Sequence, residues 1–251
     1  ARQFIFRMRE FEQMEMQFFV RPGEEMKWYN FWKNSRMEWH KALNLNHGTY
    51  KFHNHQNLAH YANAACDIEY EFPIGFKELE GIHSRTNYDL SQHQTYSKKK
   101  LSYFDSELND SYLPYVIETS VGLDRLFLSI LCGSFVEEIV NNEQRTVLKL
   151  PHHLAPISVA ILPLLKKDGL NDYARNLYND LKFNFPCHYE EKDSIGKRYR
   201  RQDAIGTPLC ITIDHDTMND NQVTLRDRDT MTQKRVSVSK LADVIKEMLG
   251  S

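Results

Sequence analysis

The sequence predicts a mixed α and β protein built in two parts, an α+β part over residues 1–150 and an α/β part over residues 151–251. Three observations predict it. Two runs, 66–72 and 76–82, flank a Pro-Ile-Gly turn. In the first, Ile68, Tyr70 and Phe72 fall on one face and Asp67, Glu69 and Glu71 on the other, as in an antiparallel hairpin. Residues 114–128 read as a strand, favoured by Tyr115, Val116 and Ile117, that breaks at Gly122 into a helix. In that helix Leu123, Leu126, Phe127, Ile130 and Leu131 recur at helical spacing. Beyond residue 156, short apolar runs alternate with amphipathic segments, which is the pattern of a sheet covered by helices.

The remaining elements follow in order. Residues 4–20, rich in Phe, Met and Glu, read as an extended strand on which Phe11, Gln13 and Glu15 share a face, ended by Arg21-Pro22-Gly23. Over 24–45, Met26, Trp28, Phe31, Trp32, Met37, Trp39 and Leu43 space a helix whose broad aromatic face is read as core. On the second arm of the hairpin, Glu78 and Glu80 are expected to share a face. Residues 91–112 are polar and carry Lys98-Lys99-Lys100, so a mobile surface insertion with solvated lysines is expected. Pro151 and Pro156, after the polar turn 141–144, mark a boundary. Beyond it, strands are expected over 157–162, 207–214 and 223–227, and helices over 171–183 and 239–249.

A formal charge of -2 excludes a globally basic nucleic-acid coat, so any polyanion must be met by a local patch. Cys66, Cys132, Cys187 and Cys210 form no Cys-x-x-Cys pair, which argues against a zinc knuckle or a disulfide framework and fits a reducing cytoplasm. No run approaches the ~18 apolar residues of a membrane span. The chain starts at Ala1 in what reads as the middle of a motif, so a fragment is expected. His53-Asn54-His55 is a loose metal signal, better read as loop histidines.

Glu118 and Ser120 fall at the end of the expected strand and Arg125 in the first turn of the helix that follows. A carboxylate for a metal beside an arginine and a helix dipole for a phosphate points to nucleotide chemistry. Arg7 supplies a second phosphate ligand, Phe11 a flat face for a purine, and Glu15 a carboxylate on the same strand face. The run Lys197-Arg198-Tyr199-Arg200-Arg201 fits RNA phosphates with one stacking ring, and its alternative is a solvated helix face.

Joined in one chain, Arg7-x-x-x-Phe11 with Glu15, and Glu118, Ser120 and Gly122-x-x-Arg125, resemble the second half of motif 2 and the whole of motif 3 of class II aminoacyl-tRNA synthetases. The stretches 6–15, 79–82 with 85–90, and 116–120 look like the dimeric-type glycyl-tRNA synthetases. Residues 195–203, 206–208 and 223–231 are similar to that family's anticodon-binding domain. The resemblance implies a class II antiparallel catalytic sheet flanked by helices over 1–150, then a three-layer α/β anticodon-binding domain with a mixed sheet over 151–251. It implies glycine–tRNA ligase activity with ATP and Mg2+, glycine and tRNA(Gly) as partners, and a homodimer.

By position, the resemblance puts Arg7 and Arg125 on the ATP γ-phosphate, Phe11 on adenine and Glu118 on magnesium. Glu15, Glu80 and Ser120 fall to the glycine ammonium, and Lys197, Arg198, Arg200 and Arg201 to tRNA. Arg85 stays open between a site role and an ion pair with Asp89. Motif 1 and the first strand of motif 2 have no counterpart, so little adenylate formation is expected from these residues alone. The rival is a non-catalytic, synthetase-like nucleic-acid-binding accessory protein; the presence of every ATP and glycine residue just named disfavours it.

Overall fold

The computed structural model describes residues 4–250. They divide into two compact units, one holding the residues up to 44 together with 48–132, the other 45–47 and the residues from 133 onward.

The first unit is organised by a five-stranded antiparallel sheet. Its strands are β1 (Gln13–Val20), β2 (Tyr50–Asn54), β3 (Ala64–Phe72), β4 (Gly75–Ser84) and a long strand at Tyr115–Gly122. Helix α1 (Glu25–Ala42) follows a turn at Arg21–Glu24 in which Gly23 adopts φ +94°, a conformation that glycine takes without steric cost. α1 covers one face of the sheet, packing Tyr29 and Met37 against Val20, Cys66, Ile68, Ile82 and Ile117. The aromatic stripe of α1 is split: Trp28 and Trp32 pack against this core, while Phe31 and Trp39 stay 51% and 40% exposed. One helix face cannot bury rings spread over more than half its circumference.

Two expectations change here. The strand begins at Gln13; Phe4–Phe6 form a short 3-10 turn and Phe11 stands outside the ladder. Residues 91–112 are structured, with α2 (Tyr88–Ser97) leading to a small hairpin of β5 (Tyr103–Asp105) and β6 (Asp110–Tyr112). Asp105 accepts from the Arg21 guanidinium at 2.5 Å, and Arg21 sits 5.5 Å from the Tyr112 ring centroid, which ties the hairpin to the turn after β1. Lys98 ends α2 at φ +59°, and all three lysines are exposed. The long strand, β7 (Tyr115–Gly122), runs without a loop into α3 (Leu123–Ser134).

The second unit opens with β8 (Phe135–Val140) and β9 (Glu143–Leu148), joined by Asn141 and Asn142 at φ +53° and +64°. Two consecutive positive φ values make the turn that matches strand twist, and asparagine tolerates them best after glycine. Then come β10 (Val159–Pro163), α4 (Leu170–Leu181), β11 (Cys187–Tyr189), α5 (Ile195–Ile205), β12 (Leu209–Ile213), α6 (Thr217–Asp220), β13 (Gln222–Asp227), β14 (Gln233–Ser237) and α7 (Leu241–Leu249). The sheet order is β11-β10-β12-β13-β14, with β11, β10 and β12 parallel and the rest antiparallel.

Successive residues of β10 serve opposite layers. Val159 and Ile161 join Leu170, Leu177, Leu241 and Ile245 from α4 and α7, whereas Ala160 and Leu162 meet Ile195 and Tyr199 of α5. The mixed sheet therefore lies between two helical layers. The hairpin 135–148, grouped by the sequence reading with residues 1–150, packs inside this unit because Arg145 of β9 reaches Asp203 of α5.

Candidate functional site

Ladder register sorts the side chains of the first sheet, since directly opposed residues project to the same side. Glu15 faces Ser120, Ser120 faces Gly81, Gln17 faces Glu118, and Glu118 faces His83. With Asp67 opposite Gly81, these residues share the face away from α1. The Gln13 amide donates to the Ser120 hydroxyl, and Gln17 Nε2 donates to Glu118 Oε2 at 2.6 Å. A polar face on an otherwise well-packed sheet is the informative exception to burial.

At the β1 end of this face lies a cleft of about 210 Å³, lined by Arg7, Phe11, Glu12, Gln13, Glu78, Ser120, Gly122 and Arg125 among others. Four of the residues singled out from sequence, Arg7, Phe11, Ser120 and Arg125, thus meet in one cavity. Phe11 is 64% exposed, so its ring is free to take a flat ligand. Arg125 leaves α3 to bind the Glu78 carbonyl at 3.0 Å, the Phe6 carbonyl at 3.2 Å and the Glu78 carboxylate at 3.2 Å. Glu15 is exposed on the same sheet face, and Glu118 lies further along β7.

Glu80 is elsewhere, and the expectation that it shares a face with Glu78 is corrected. Glu80 pairs with Ile68 and Glu78 with Glu69, so Leu79 is an extra residue in β4, a β-bulge. The bulge sends Glu80 to the α1 face, 1% exposed, and leaves Glu78 on the polar face. Arg36 donates to both Glu80 oxygens, from Nε at 2.6 Å and Nη2 at 3.1 Å, and His40 Nε2 lies 2.6 Å from Oε2. Burial alone would raise the Glu80 carboxyl; the bonds from His40 and Arg36 overcome it and hold the group below the usual carboxylate range. Glu78 is a cleft carboxylate that sequence reasoning placed on the wrong footing, because strict alternation cannot show a bulge.

Of the two roles left open for Arg85, the ion pair with Asp89 is formed, and the same side chain also reaches Glu118. Its guanidinium holds Asp89 at 2.7 and 3.1 Å, reaches Glu118 Oε1 at 3.1 Å and stacks 4.2 Å from the Tyr61 centroid. The Arg85 hydrogen bond holds Asp89 below the ordinary carboxylate range. Glu118 accepts one hydrogen bond on each oxygen, which leaves one lone pair on each for a cation. No set of three or more metal-type side chains clusters among the described residues. A magnesium ion at Glu118 would then draw its other ligands from phosphate oxygens and water, as Mg2+ commonly does. Of the histidine pair, His53 lies in β2 and His55 just beyond it, and His55 is bonded to Asp67 at 2.8 Å.

The basic run forms one helix, α5, whose cations differ sharply. Arg198 is 2% exposed, and its guanidinium donates to the carbonyls of Pro163 at 2.5 Å, Leu164 at 3.2 Å and Glu190 at 3.4 Å. The expectation that Arg198 binds RNA is therefore corrected: it closes off backbone carbonyls at the ends of β10 and β11. Tyr199 is likewise engaged, with its hydroxyl 2.5 Å from Thr212 Oγ1 and Arg226 4.8 Å from its ring. Arg201 is held by Glu190, Asp193 and the Lys192 carbonyl. Lys197 is exposed, and Arg200 meets the solvated Glu143 at 3.6 Å. No helix among the described residues is long and apolar enough to cross a membrane.

Residues 158–248, which span the mixed sheet and its helices, match the anticodon binding domain family. The similarity extends over nearly the whole chain: it is homologous to proteins named glycine–tRNA ligase. It is 49% identical to the Chlorobaculum tepidum protein over 243 residues, covering 96% of this chain and 52% of that relative. The Treponema denticola and Caldanaerobacter subterraneus proteins are each 49% identical, over 254 and 248 residues, covering 98% of this chain and 56% and 53% of theirs. The chain spans about half the length of the curated relatives it matches.

Proposed function

We propose that the chain serves glycine–tRNA ligation, with the cleft of the first unit activating glycine on ATP and the second unit reading tRNA(Gly). The observation that carries this is the meeting of Arg7, Phe11, Ser120 and Arg125 in one cleft on the polar face of an antiparallel sheet. On this reading residues up to about 132 belong to a class II catalytic sheet, and the rest to the anticodon module with its β8–β9 hairpin.

Phe11 stacks on adenine, and Arg7 and Arg125 take the γ-phosphate, Arg125 exchanging its hold on Glu78 for phosphate oxygens. Glu118 is the proposed protein ligand for Mg2+, which would neutralise the polyphosphate. Glycine has no side chain to grip, so recognition falls on its ammonium and carboxylate. Ser120, Glu15 and, in place of Glu80, Glu78 supply acceptors for the ammonium. The glycine carboxylate then attacks the α-phosphorus, pyrophosphate leaves, and a ribose hydroxyl at the tRNA 3′ end displaces AMP from the glycyl-adenylate. No protein nucleophile is needed; alignment and charge stabilisation carry the rate. On the RNA side, within the basic run of α5, Lys197 and Arg200 have donors to spare, and Arg201 follows if it leaves Glu190. A cytoplasmic homodimer belongs to the same proposal.

The test is glycine-dependent ATP–pyrophosphate exchange by a full-length ligase in which these 251 residues replace the matching part of the Chlorobaculum tepidum protein. Exchange is expected. A folded chimera that binds tRNA(Gly) but exchanges nothing would overturn the catalytic reading in favour of a non-catalytic RNA-binding protein.

A further inference from the structure

Glu80 touches neither the cleft nor solvent, yet the residue two before it faces the cleft. In a regular strand, residues 78 and 80 would project to the same side. With Glu80 fixed opposite Ile68 on the α1 face, an unbulged β4 would carry Glu78 to that face too, away from the cleft. The extra residue at Leu79 is what brings Glu78 round.

A bulge that buries a carboxylate needs compensation, because an unpaired buried charge is strongly disfavoured. Here α1 supplies it. Arg36 grips both oxygens of Glu80 and His40 adds a third bond, at 2.6 to 3.1 Å. Beyond the bulge, Glu78 meets Arg125 through two groups, its carbonyl and its carboxylate. A shift at Leu79 therefore moves a wall of the cleft and the seat of Arg125 together.

We propose that Glu80, clamped by Arg36 and His40, is a positioning residue: it fixes the β4 bulge and so aims Glu78, and through Glu78 the Arg125 guanidinium, at the substrates. The clamp acts from the opposite face of the sheet and contacts no substrate itself. The proposal rests on the reading of the cleft as the glycine and ATP site.

The experiment is a double-mutant cycle on glycine KM and kcat in the chimera described above, with Glu80→Gln, Glu78→Gln and the pair. Glu80→Gln is expected to raise glycine KM about tenfold, with kcat changed by less than about threefold, and to add almost nothing in the Glu78→Gln background. Arg36→Gln, which alters a partly exposed side chain and leaves the carboxylate in place, should move KM the same way by a smaller factor. It serves should Glu80→Gln fail to fold. An unchanged glycine KM in both clamp variants, or the same factor with and without Glu78, would overturn the positioning role. If Glu78→Gln alone leaves glycine KM unchanged, the ammonium reading itself falls, and the proposal with it.

Discussion

Arg125 and Arg85 of the first unit are held differently from the buried arginines of the second. In the first, Arg125 and Arg85 keep about a fifth of their side chains exposed and face a cleft or a polar sheet surface. In the second, Arg145 is wholly buried and Arg198, Arg226 and Arg228 nearly so, each spent on carbonyls and carboxylates of the unit itself. The lesson is that exposure, not the number of internal acceptors, separates the two groups: Arg125 and Arg198 each meet three acceptors, but Arg125 meets them at a cleft and Arg198 in the interior. Counting basic residues in a run says little; the exposure of each guanidinium and the place of its acceptors say more.

The largest test of this contrast is Asp203, fully buried and bonded by Arg145 at 2.9 Å and by both Arg226 amines at 2.8 and 3.0 Å. Asp203→Ala leaves two buried cations facing each other and is expected to cost the second unit ~3–5 kcal/mol in denaturant unfolding. Loss of under ~1 kcal/mol would mean that these arginines find water, and the contrast would collapse.

Arg125→Ala tests the other side. In the chimera it should lower glycine-dependent exchange by ~10²–10³, the scale for removing one preorganised charge-stabilising donor. Unfolding of the first unit should change by less than ~1 kcal/mol. A large stability loss with proportionate activity would place Arg125 among the structural arginines instead.

Within α5 the contrast can be sharpened residue by residue. Arg198→Ala strips three carbonyls of their donor and should destabilise by ~2–3 kcal/mol. Lys197→Ala should leave stability within ~0.5 kcal/mol, yet weaken binding of a tRNA(Gly) anticodon stem-loop and lower its salt dependence. Equal RNA-binding losses from the two variants, at full stability, would restore Arg198 to the interface.

These differences mark what the sequence could and could not tell. Hairpin alternation at Ile68, Tyr70 and Phe72 and the helical spacing from Leu123 were legible because burial on one face writes a period into the sequence. The cleft residues Arg7, Phe11, Ser120 and Arg125 were legible through motif resemblance. Seven strands, β2, β5, β6, β8, β9, β11 and β14, were not expected from the sequence; several are too short or too polar to show, since β11 has three residues, β6 is Asp-Ser-Tyr, and β14 begins Gln-Lys-Arg. Glu80 and Arg198 were misplaced for a deeper reason. A bulge shifts facing without changing composition, and an arginine on a sheet-facing helix stripe looks identical in sequence to one on a solvated stripe.

The smallest effect is a difference in sign with pH. Glu80 is held below the usual carboxylate range in the folded first unit. Its stabilising contribution is present above the ordinary value of 4.5 and lost as pH falls through the depressed folded value. His152 in the second unit is shifted the other way: the Asp229 carboxylate, 3.6 Å from its Nε2, and a hydrogen bond from Nδ1 to the Met248 carbonyl at 3.0 Å raise it above 6.5. Its contribution is full below 6.5 and disappears as pH rises through the raised folded value. Acidifying from about pH 8 to 6 should thus stabilise the second unit slightly and leave Glu80's contribution intact, whereas the first unit loses that contribution only in stronger acid. Unfolding followed with separate probes for each unit, in His152→Gln and Glu80→Gln backgrounds, isolates the two groups. If His152→Gln leaves the neutral-range slope unchanged, the Asp229 contact is too solvated to count, and charge in the second unit matters only where it is buried.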